Sequence, residues 1–180
     1  TLILATTFFT LLFLYNKARV LRTSITEYVP MKRVVKLITA VKEDPKIPYE
    51  ATNLVFPTRS NSSNKLDTTV FHSLFKKKPR KADVIWFLHL DIQNEPWGVH
   101  YSVNEIIDKS CYYVSLQLGF KEEHQFEYMM RKIQRKMVTK KELTGESVFE
   151  SVRGTFDEVD FKFVVINSRV SADNDLSWFQ

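Results

Sequence analysis

The chain has 180 residues, of which 44% are hydrophobic and 13% aromatic, more apolar material than a disordered tail contains. Its formal net charge is +5, but the excess lies in three separate segments, residues 17–22, 76–81 and 131–141, rather than in one basic patch interleaved with aromatic residues. These properties favour a folded domain and argue against nucleic acid as its partner. The single cysteine, Cys111, excludes an internal disulfide, fits a reducing compartment and is expected in the core.

Residues 1–15 contain no charge and no helix breaker, a composition that is typical of a helix in lipid. At about 1.5 Å per residue this run would rise about 22 Å, which is short of a hydrocarbon core of roughly 30 Å. We therefore expect it to be the last part of a transmembrane helix that begins outside the sequence. Lys17, Arg19 and Arg22 follow directly and predict that the remainder is cytosolic. The alternative is a buried helix of a soluble protein.

The next pattern is an amphipathic helix over residues 31–43. The first helix is expected to continue out of the bilayer to about Tyr28, where Pro30 interrupts it. Beyond Pro30, an apolar stripe that includes Val34, Ile38 and Val41 recurs at helical spacing. This stripe fits a lipid surface, a partner subunit or the chain's own domain, and the sequence leaves these alternatives open.

Strand and helix patterns alternate through the rest of the chain. In order, they predict a strand at 52–57, a polar loop at 59–65, a helix at 68–77 with Asp67 as its N-cap, a strand at 83–92, a turn at 94–98, consecutive antiparallel strands at 99–107 and 110–120, a helix at 122–143 with Gly145 past its end, and a strand at 161–166. The run at 83–92 is the most continuously apolar, so we expect it at the centre of the sheet. The sequence thus predicts one mixed α/β domain with a roughly five-stranded sheet and flanking helices.

No catalytic or metal-binding motif is present in the sequence. Its four histidines, His72, His89, His100 and His124, lack metal-ligand spacing, although His89 and His100 flank one predicted hairpin and could meet across strands. The glycines are too widely separated for a nucleophile elbow or a phosphate-binding loop. We therefore expect neither an enzyme nor a cofactor.

Two polar loops are candidates for binding an anion, because each follows a predicted strand at what would be the carboxyl edge of the sheet. One covers residues 58–65 and contains Arg59, and the other covers residues 167–175 and contains Arg169. A guanidinium group can bind a phosphate through two parallel hydrogen bonds. The alternative is that both are ordinary solvated loops.

Several segments together resemble a known family. They are PKIPYEATNLVFP at 45–57, VFHSLF at 70–75, PRKADVIWF at 79–87, DIQNEP at 91–96, LGFK at 118–121 and FKFVVI at 161–166. In this order they are similar to the cytosolic C-terminal region of bacterial KUP/HAK/KT potassium transporters. The resemblance implies a multi-pass protein of the cell membrane that takes up potassium, coupled to protons, and works as a homodimer. In that family the ion sites lie in earlier membrane helices, so this sequence contains no transport residue.

The resemblance also suggests an organisation in three parts. Residues 1–28 would be the end of the transmembrane helix with its cytoplasmic extension, residues 29–48 an amphipathic connecting helix and linker, and residues 49–180 a cytosolic α/β regulatory domain. The final residues, from about 173, resemble the start of a further segment, so the C-terminus is expected to be truncated.

Some bacterial members of this family are inhibited by cyclic di-AMP, which implies a ligand with two phosphates and two adenines. On that basis the candidate binding residues are Tyr49, Arg59, Asn167, Ser168 and Arg169, with Tyr49 available to stack on adenine. Two other functions remain open: a purely structural dimerisation domain of the same transporter, and an unrelated membrane-anchored enzyme.

Overall fold

The computed structural model describes residues 2–24, 27–76, 78–123, 125–139 and 161–166. The elements in chain order are α1 (Leu2–Ser24), β1 (Tyr28–Pro30), α2 (Met31–Glu43), β2 (Tyr49–Thr58), β3 (Lys65–Asp67), α3 (Thr68–Phe75), β4 (Lys81–Gln93), β5 (Val99–Ile107), β6 (Cys111–Gly119), α4 (Phe126–Thr139) and β7 (Phe161–Phe163). Among these residues no helix is both long enough and apolar enough to cross a membrane.

Five strands form the main sheet in the order β5-β6-β4-β2-β7, which confirms the predicted mixed α/β fold. The strands β6, β4, β2 and β7 are parallel, whereas β5 is antiparallel to β6 at one edge. The β5–β6 pair is the predicted consecutive antiparallel pair, and its turn places Lys109 at a φ of 51°. β4 lies in the middle of the sheet, as its apolar composition predicts.

Alternate residues of the central strand face two separate cores, because successive side chains of a strand point to opposite faces. Ile85 and Phe87 belong to the core beneath α2 and α3. Trp86 and Leu88 belong to the core beneath α4, which supplies Met130 and other apolar residues. The sheet is therefore covered on both faces, as parallel strands require.

The helix predicted at residues 31–43 has these bounds in the structure. Met31, Val34 and Ile38 are buried in the same core as the apolar residues of β2 and β4. Of the three alternatives for this apolar stripe, the structure shows packing on the chain's own sheet. How the chain divides into domains stays a prediction.

A small two-stranded sheet was not predicted. Tyr28–Pro30 (β1) pairs antiparallel with Lys65–Asp67 (β3), so the first helix ends at Ser24 and does not continue to Tyr28. The residue before a proline is disfavoured in the α conformation, which accounts for the extended chain before Pro30. The pairing itself joins segments almost forty residues apart and leaves no local signal.

Two helix boundaries also differ from the prediction. α3 ends at Phe75 rather than at residue 77, and α4 begins at Phe126 rather than at residue 122. The delay in α4 arises because Phe120 and Lys121 donate backbone hydrogen bonds to Glu95 and Pro96, which holds this segment in a turn. Gly145 and the predicted end of α4 lie outside the described residues.

Candidate functional site

The parallel strands β2, β4 and β6 end at one edge of the sheet, where open α/β folds bind their ligands. The loop after β2, residues 59–64, connects this edge to the small sheet and to α3. β7 runs parallel to β2, and Val164 continues beside it by donating a backbone hydrogen bond to Val55 at 2.9 Å. The described chain therefore runs towards the same edge up to Ile166.

The loop after β2 is organised around the buried carboxylate of Asp67. Its Oδ2 accepts hydrogen bonds from the backbone N–H of Arg59 at 2.6 Å and from the Thr58 hydroxyl at 3.3 Å. The hydroxyl of Tyr113 donates to the Ser60 carbonyl at 2.8 Å. These contacts fix the backbone on both sides of Arg59, whose side chain is exposed.

Asp67 does not cap α3 in the predicted way. It occupies the N-cap position, but its side chain makes no capping hydrogen bond, because the carboxylate turns back to the loop after β2. Its Oδ1 is buried, and no group in the described part of the chain donates a hydrogen bond to it. The pKa of Tyr113 is raised to about 12, first by burial and then by the negative charge of Asp67.

Tyr49 lies at the opposite end of β2 from Arg59. Its hydroxyl donates to Asp83 Oδ2 at 2.8 Å and also contacts the Thr52 hydroxyl at 3.2 Å. Nine residues lie between Tyr49 and Arg59, and with the bulge between Tyr49 and Ala51 the two positions are about 30 Å apart along the strand. A ligand pocket of about 300–1,000 Å³ is on the order of 10 Å across, so one molecule cannot contact both residues of one chain. Asn167, Ser168 and Arg169 lie outside the described residues.

The structure does not bring His89 and His100 together. β6 lies between their strands, so His89 is opposite Ser115 and His100 is opposite Gln117. The prediction that they could meet assumed that β4 and β5 were adjacent, and it was wrong for that reason. Within the described ranges, no group of three or more His, Cys, Asp or Glu side chains could hold a metal ion.

A largely apolar cavity of about 840 Å³ lies beside the carboxyl edge, and the sequence did not indicate it. Pro57 and Leu88 line it from the sheet, Phe126 lines it from α4, and Phe163 and Val165 line it from β7 and the chain after it. The i,i+4 ion pair of Glu127 and Arg131, at 2.7 Å, lies at its polar side. Leu88 and Leu90 alternate towards one face of β4, but the cavity also needs β7, whose position is set by long-range pairing with β2 and not by a local sequence pattern.

A second cluster lies at the amino end of the sheet. Lys42 donates through Nζ to the Asp83 carbonyl, and burial lowers the pKa of this lysine, an effect that Asp83 and Cys111 partly offset. Burial raises the pKa of the Cys111 thiol to about 12, although the nearby Lys42 opposes the shift. Cys111 is thus fully buried in the core, as expected, and burial favours its protonated thiol.

The raised pKa of Cys111 predicts an alkaline loss of stability. The folded chain holds the thiol proton up to about pH 12, whereas the unfolded chain releases it near pH 9, so folding stability falls as the pH rises between these values. Between pH 9 and pH 11, we expect the free energy of unfolding to fall by about 2 kcal/mol less in Cys111→Ala than in the unsubstituted chain. Urea titrations of both proteins at each pH measure this difference, and parallel pH profiles would contradict the prediction.

These elements define a class of protein: an α/β domain with a mixed five-stranded sheet, preceded by an exposed apolar helix, with a polar loop and an apolar cavity at the carboxyl edge. Residues 51–180 match the family model described as the K+ potassium transporter C-terminal domain. The chain belongs to this family.

The relatives agree with this assignment. The chain is 33% identical over 180 residues, all of its length, to a protein named "Probable potassium transport system protein Kup" from Flavobacterium johnsoniae, and covers 27% of that protein. It is 32% identical over 167 residues, 93% of its length, to a protein of the same name from Cytophaga hutchinsonii, and covers 26% of it. A third protein of that name, from Clostridium perfringens, is 25% identical over 99% of the chain, which covers 27% of it.

The chain thus spans about a quarter of the length of the curated relatives it matches. No solved structure matches it.

Proposed function

We propose that this chain is the cytosolic regulatory and assembly domain of a potassium uptake transporter of the cell membrane. The observation that carries the proposal is the family match over residues 51–180 together with relatives named as potassium transport proteins. In the parent protein, α1 is the end of a transmembrane helix. Its apolar side chains are exposed, for example Ile3 at 83% and Phe9 at 73%, which is the arrangement of a helix that meets lipid or other membrane helices.

Potassium and protons are the transported partners in this proposal, and the parent protein works as a homodimer that couples the two ions in symport. The ion-binding residues belong to other membrane helices of the parent protein, as the family resemblance implies. The role of this chain is therefore to assemble the transporter and to set its activity, not to bind the ion in transit.

The proposed ligand is cyclic di-AMP, bound at the carboxyl edge of the sheet. Arg59 supplies an exposed guanidinium on a loop whose backbone is fixed by Asp67, and such preorganisation lowers the entropic cost of binding. β7 runs beside β2 towards this loop, so the proposal joins Arg59 with Asn167, Ser168 and Arg169, which follow it in sequence. The neighbouring cavity, lined by aromatic and aliphatic side chains, offers a surface on which adenine can pack. Tyr49 is left out of this site because of its distance from Arg59.

Calorimetric titration of the complete chain in a mild detergent tests the ligand, with cyclic di-GMP and ATP as controls. We expect selective binding of cyclic di-AMP, and a loss of at least tenfold in affinity, about 1.4 kcal/mol, for either Arg59→Ala or Arg169→Ala, because each removes a forked phosphate donor.

Arg33→Ala is the matched control for this titration, since Arg33 is also exposed but lies on α2, over the ring of Phe71. It should leave the affinity unchanged. Absence of heat with the unsubstituted chain, once circular dichroism shows that it is folded, would contradict ligand sensing and favour the second candidate, a purely structural dimerisation domain.

A further inference from the structure

Exposed apolar side chains of the sheet domain are concentrated at one edge. Outside α1, eight large apolar side chains of the described residues are exposed, and five of them surround the first half of β5: Ile92, Trp97, Val99, Tyr101 and Phe120. Of the other three, Tyr128 lies on α4 beside this group, where it lines one pocket together with Val99 and Tyr101, whereas Tyr28 and Val165 lie on β1 and on the chain after β7. A cluster of exposed aromatic and aliphatic residues of this kind marks an interaction surface rather than ordinary scattered exposure.

This cluster continues onto a free edge strand. β5 has nine residues and pairs with β6, and no other described strand pairs with its outer side. It contains neither proline nor lysine, the residues that commonly block pairing at an edge. Its pairing with β6 is regular from Val99 to Glu105, and the irregularity comes only between Glu105 and Ile107. The outer side therefore presents seven residues of regular strand whose backbone groups can pair with another chain.

We propose that β5 pairs antiparallel with β5 of a second copy of this chain, which joins two five-stranded sheets into one continuous sheet. The inference rests on the assembly role proposed above and assigns it a surface. The midpoint of the regular segment is Ser102, and a two-fold axis there places Tyr101 of each copy opposite Val103 of the other, and His100 opposite Asn104. Aromatic and β-branched residues are favourable cross-strand partners, and no like charges meet.

Charge complementarity supports a second copy as the partner. Lys136 of α4 lies over the ring of Tyr101, with Nζ at 5.3 Å from the ring centre. In the two-fold pairing, Glu105 of the second copy is the diagonal neighbour of Tyr101, and the two residues are about 7–8 Å apart across the strands. The carboxylate of Glu105 also accepts from the Tyr112 hydroxyl at 3.1 Å, which places it on the same face as α4. The two-fold symmetry thus places Lys136 of each copy near Glu105 of the other copy.

Disulfide cross-linking tests the register, because the native Cys111 is fully buried and does not compete. With Ser102 on the axis, the two copies of residue 102 have Cα atoms about 4.5–5.5 Å apart, within the range of a disulfide. We expect Ser102→Cys to give a covalent dimer under mild oxidation of the complete chain in detergent.

Two cysteine variants serve as controls for this cross-linking. In Asn104→Cys the two thiols are offset by four residues, on the order of 13 Å, which is too far for a disulfide. Ala40→Cys is equally exposed but lies on α2. Both should remain monomeric on a denaturing gel. Cross-linking of Asn104→Cys as efficient as that of Ser102→Cys would overturn the proposed register.

Light scattering of the unoxidised proteins tests the interface itself. Ser102→Lys places two ammonium groups face to face on the axis, and we expect at least a tenfold weaker dimer than with Ala40→Lys. If the Ser102→Lys chain dimerises as tightly as Ala40→Lys, assembly uses another surface. In that case the β5 interface is wrong, and the assembly role remains. If the unsubstituted chain is monomeric at 100 μM, both the β5 interface and the assembly role are wrong. The titration with cyclic di-AMP would still decide ligand sensing.

Discussion

Replacing Trp86 with alanine is expected to cost about 4 kcal/mol of folding stability. Trp86 is fully buried in the centre of the sheet. Its ring stacks on Tyr112 with ring centres 4.9 Å apart, and its Nε1–H donates to Asn53 Oδ1 at 2.9 Å. The substitution leaves a large cavity beneath α4 and removes one hydrogen-bond donor to the buried amide of Asn53. Because small domains are stable by only about 5–15 kcal/mol, much of the folding free energy would be lost.

Chemical denaturation followed by circular dichroism measures this loss, and the chain supplies a matched control. Trp97 is 63% exposed in the turn before β5, so Trp97→Ala should change the free energy of unfolding by less than about 0.5 kcal/mol. Trp86→Phe keeps most of the ring but not its N–H, and an intermediate cost of about 1–3 kcal/mol is expected. Equal effects of Trp86→Ala and Trp97→Ala would contradict the central position of β4.

The sequence was sufficient where the signal is local or periodic. The stripe that includes Val34 and Ile38 gave the bounds of α2, because one buried face of a helix repeats every 3.6 residues. The apolar run of β4 indicated a central strand, because a strand that is buried on both faces has no polar alternation. In both cases the residues that carry the pattern are also the residues that the fold buries.

Predictions failed where the deciding contact is distant in sequence. The pairing of β1 with β3 and the position of β6 between β4 and β5 depend on which strands pair with each other. The hydrophobic periodicity of a strand does not specify its neighbours. Asp67 shows the same limit at a single residue. It has the right identity and position for an N-cap, but the Arg59 N–H attracts its carboxylate instead, and only the folded loop brings these groups together.

The sequence could predict part of the geometry at the carboxyl edge of the sheet, whereas ligand binding there stays a prediction. The sequence indicated polar loops at the carboxyl edge, and the structure places Arg59 at that edge, with β7 running beside β2 towards it. The sequence could not show that Tyr49 lies about 30 Å from Arg59, because the strand was predicted to begin at residue 52, after this tyrosine. Nor could it show the apolar cavity, since its walls come from the sheet, α4 and β7 together.

Gly119 allows the crossing that makes β5 an edge strand. The chain leaves β4, passes over the carboxyl end of β6 and enters β5 on the far side. At that crossing a Cβ added to Gly119 would lie 2.7 Å from the Pro96 carbonyl oxygen and 2.8 Å from the backbone carbon of Trp97, closer than real side chains approach. The turn cannot easily retreat, because Gly119 N–H donates to the Gly98 carbonyl at 2.8 Å and Lys121 N–H donates to that of Pro96 at 2.9 Å.

Gly119→Val is therefore expected to cost about 3 kcal/mol of folding stability, since it forces the backbone of the crossing turn away from β6. Gln117→Val, two residues earlier on the same strand and exposed, should cost less than about 0.5 kcal/mol and is the matched control in the same denaturation experiment. Because the turn leads directly into Val99, the substitution should also loosen β5 and weaken the dimer in light scattering. A Gly119→Val chain as stable as Gln117→Val would show that the turn does not cross β6 in this way, and the free outer side of β5 would then need another explanation.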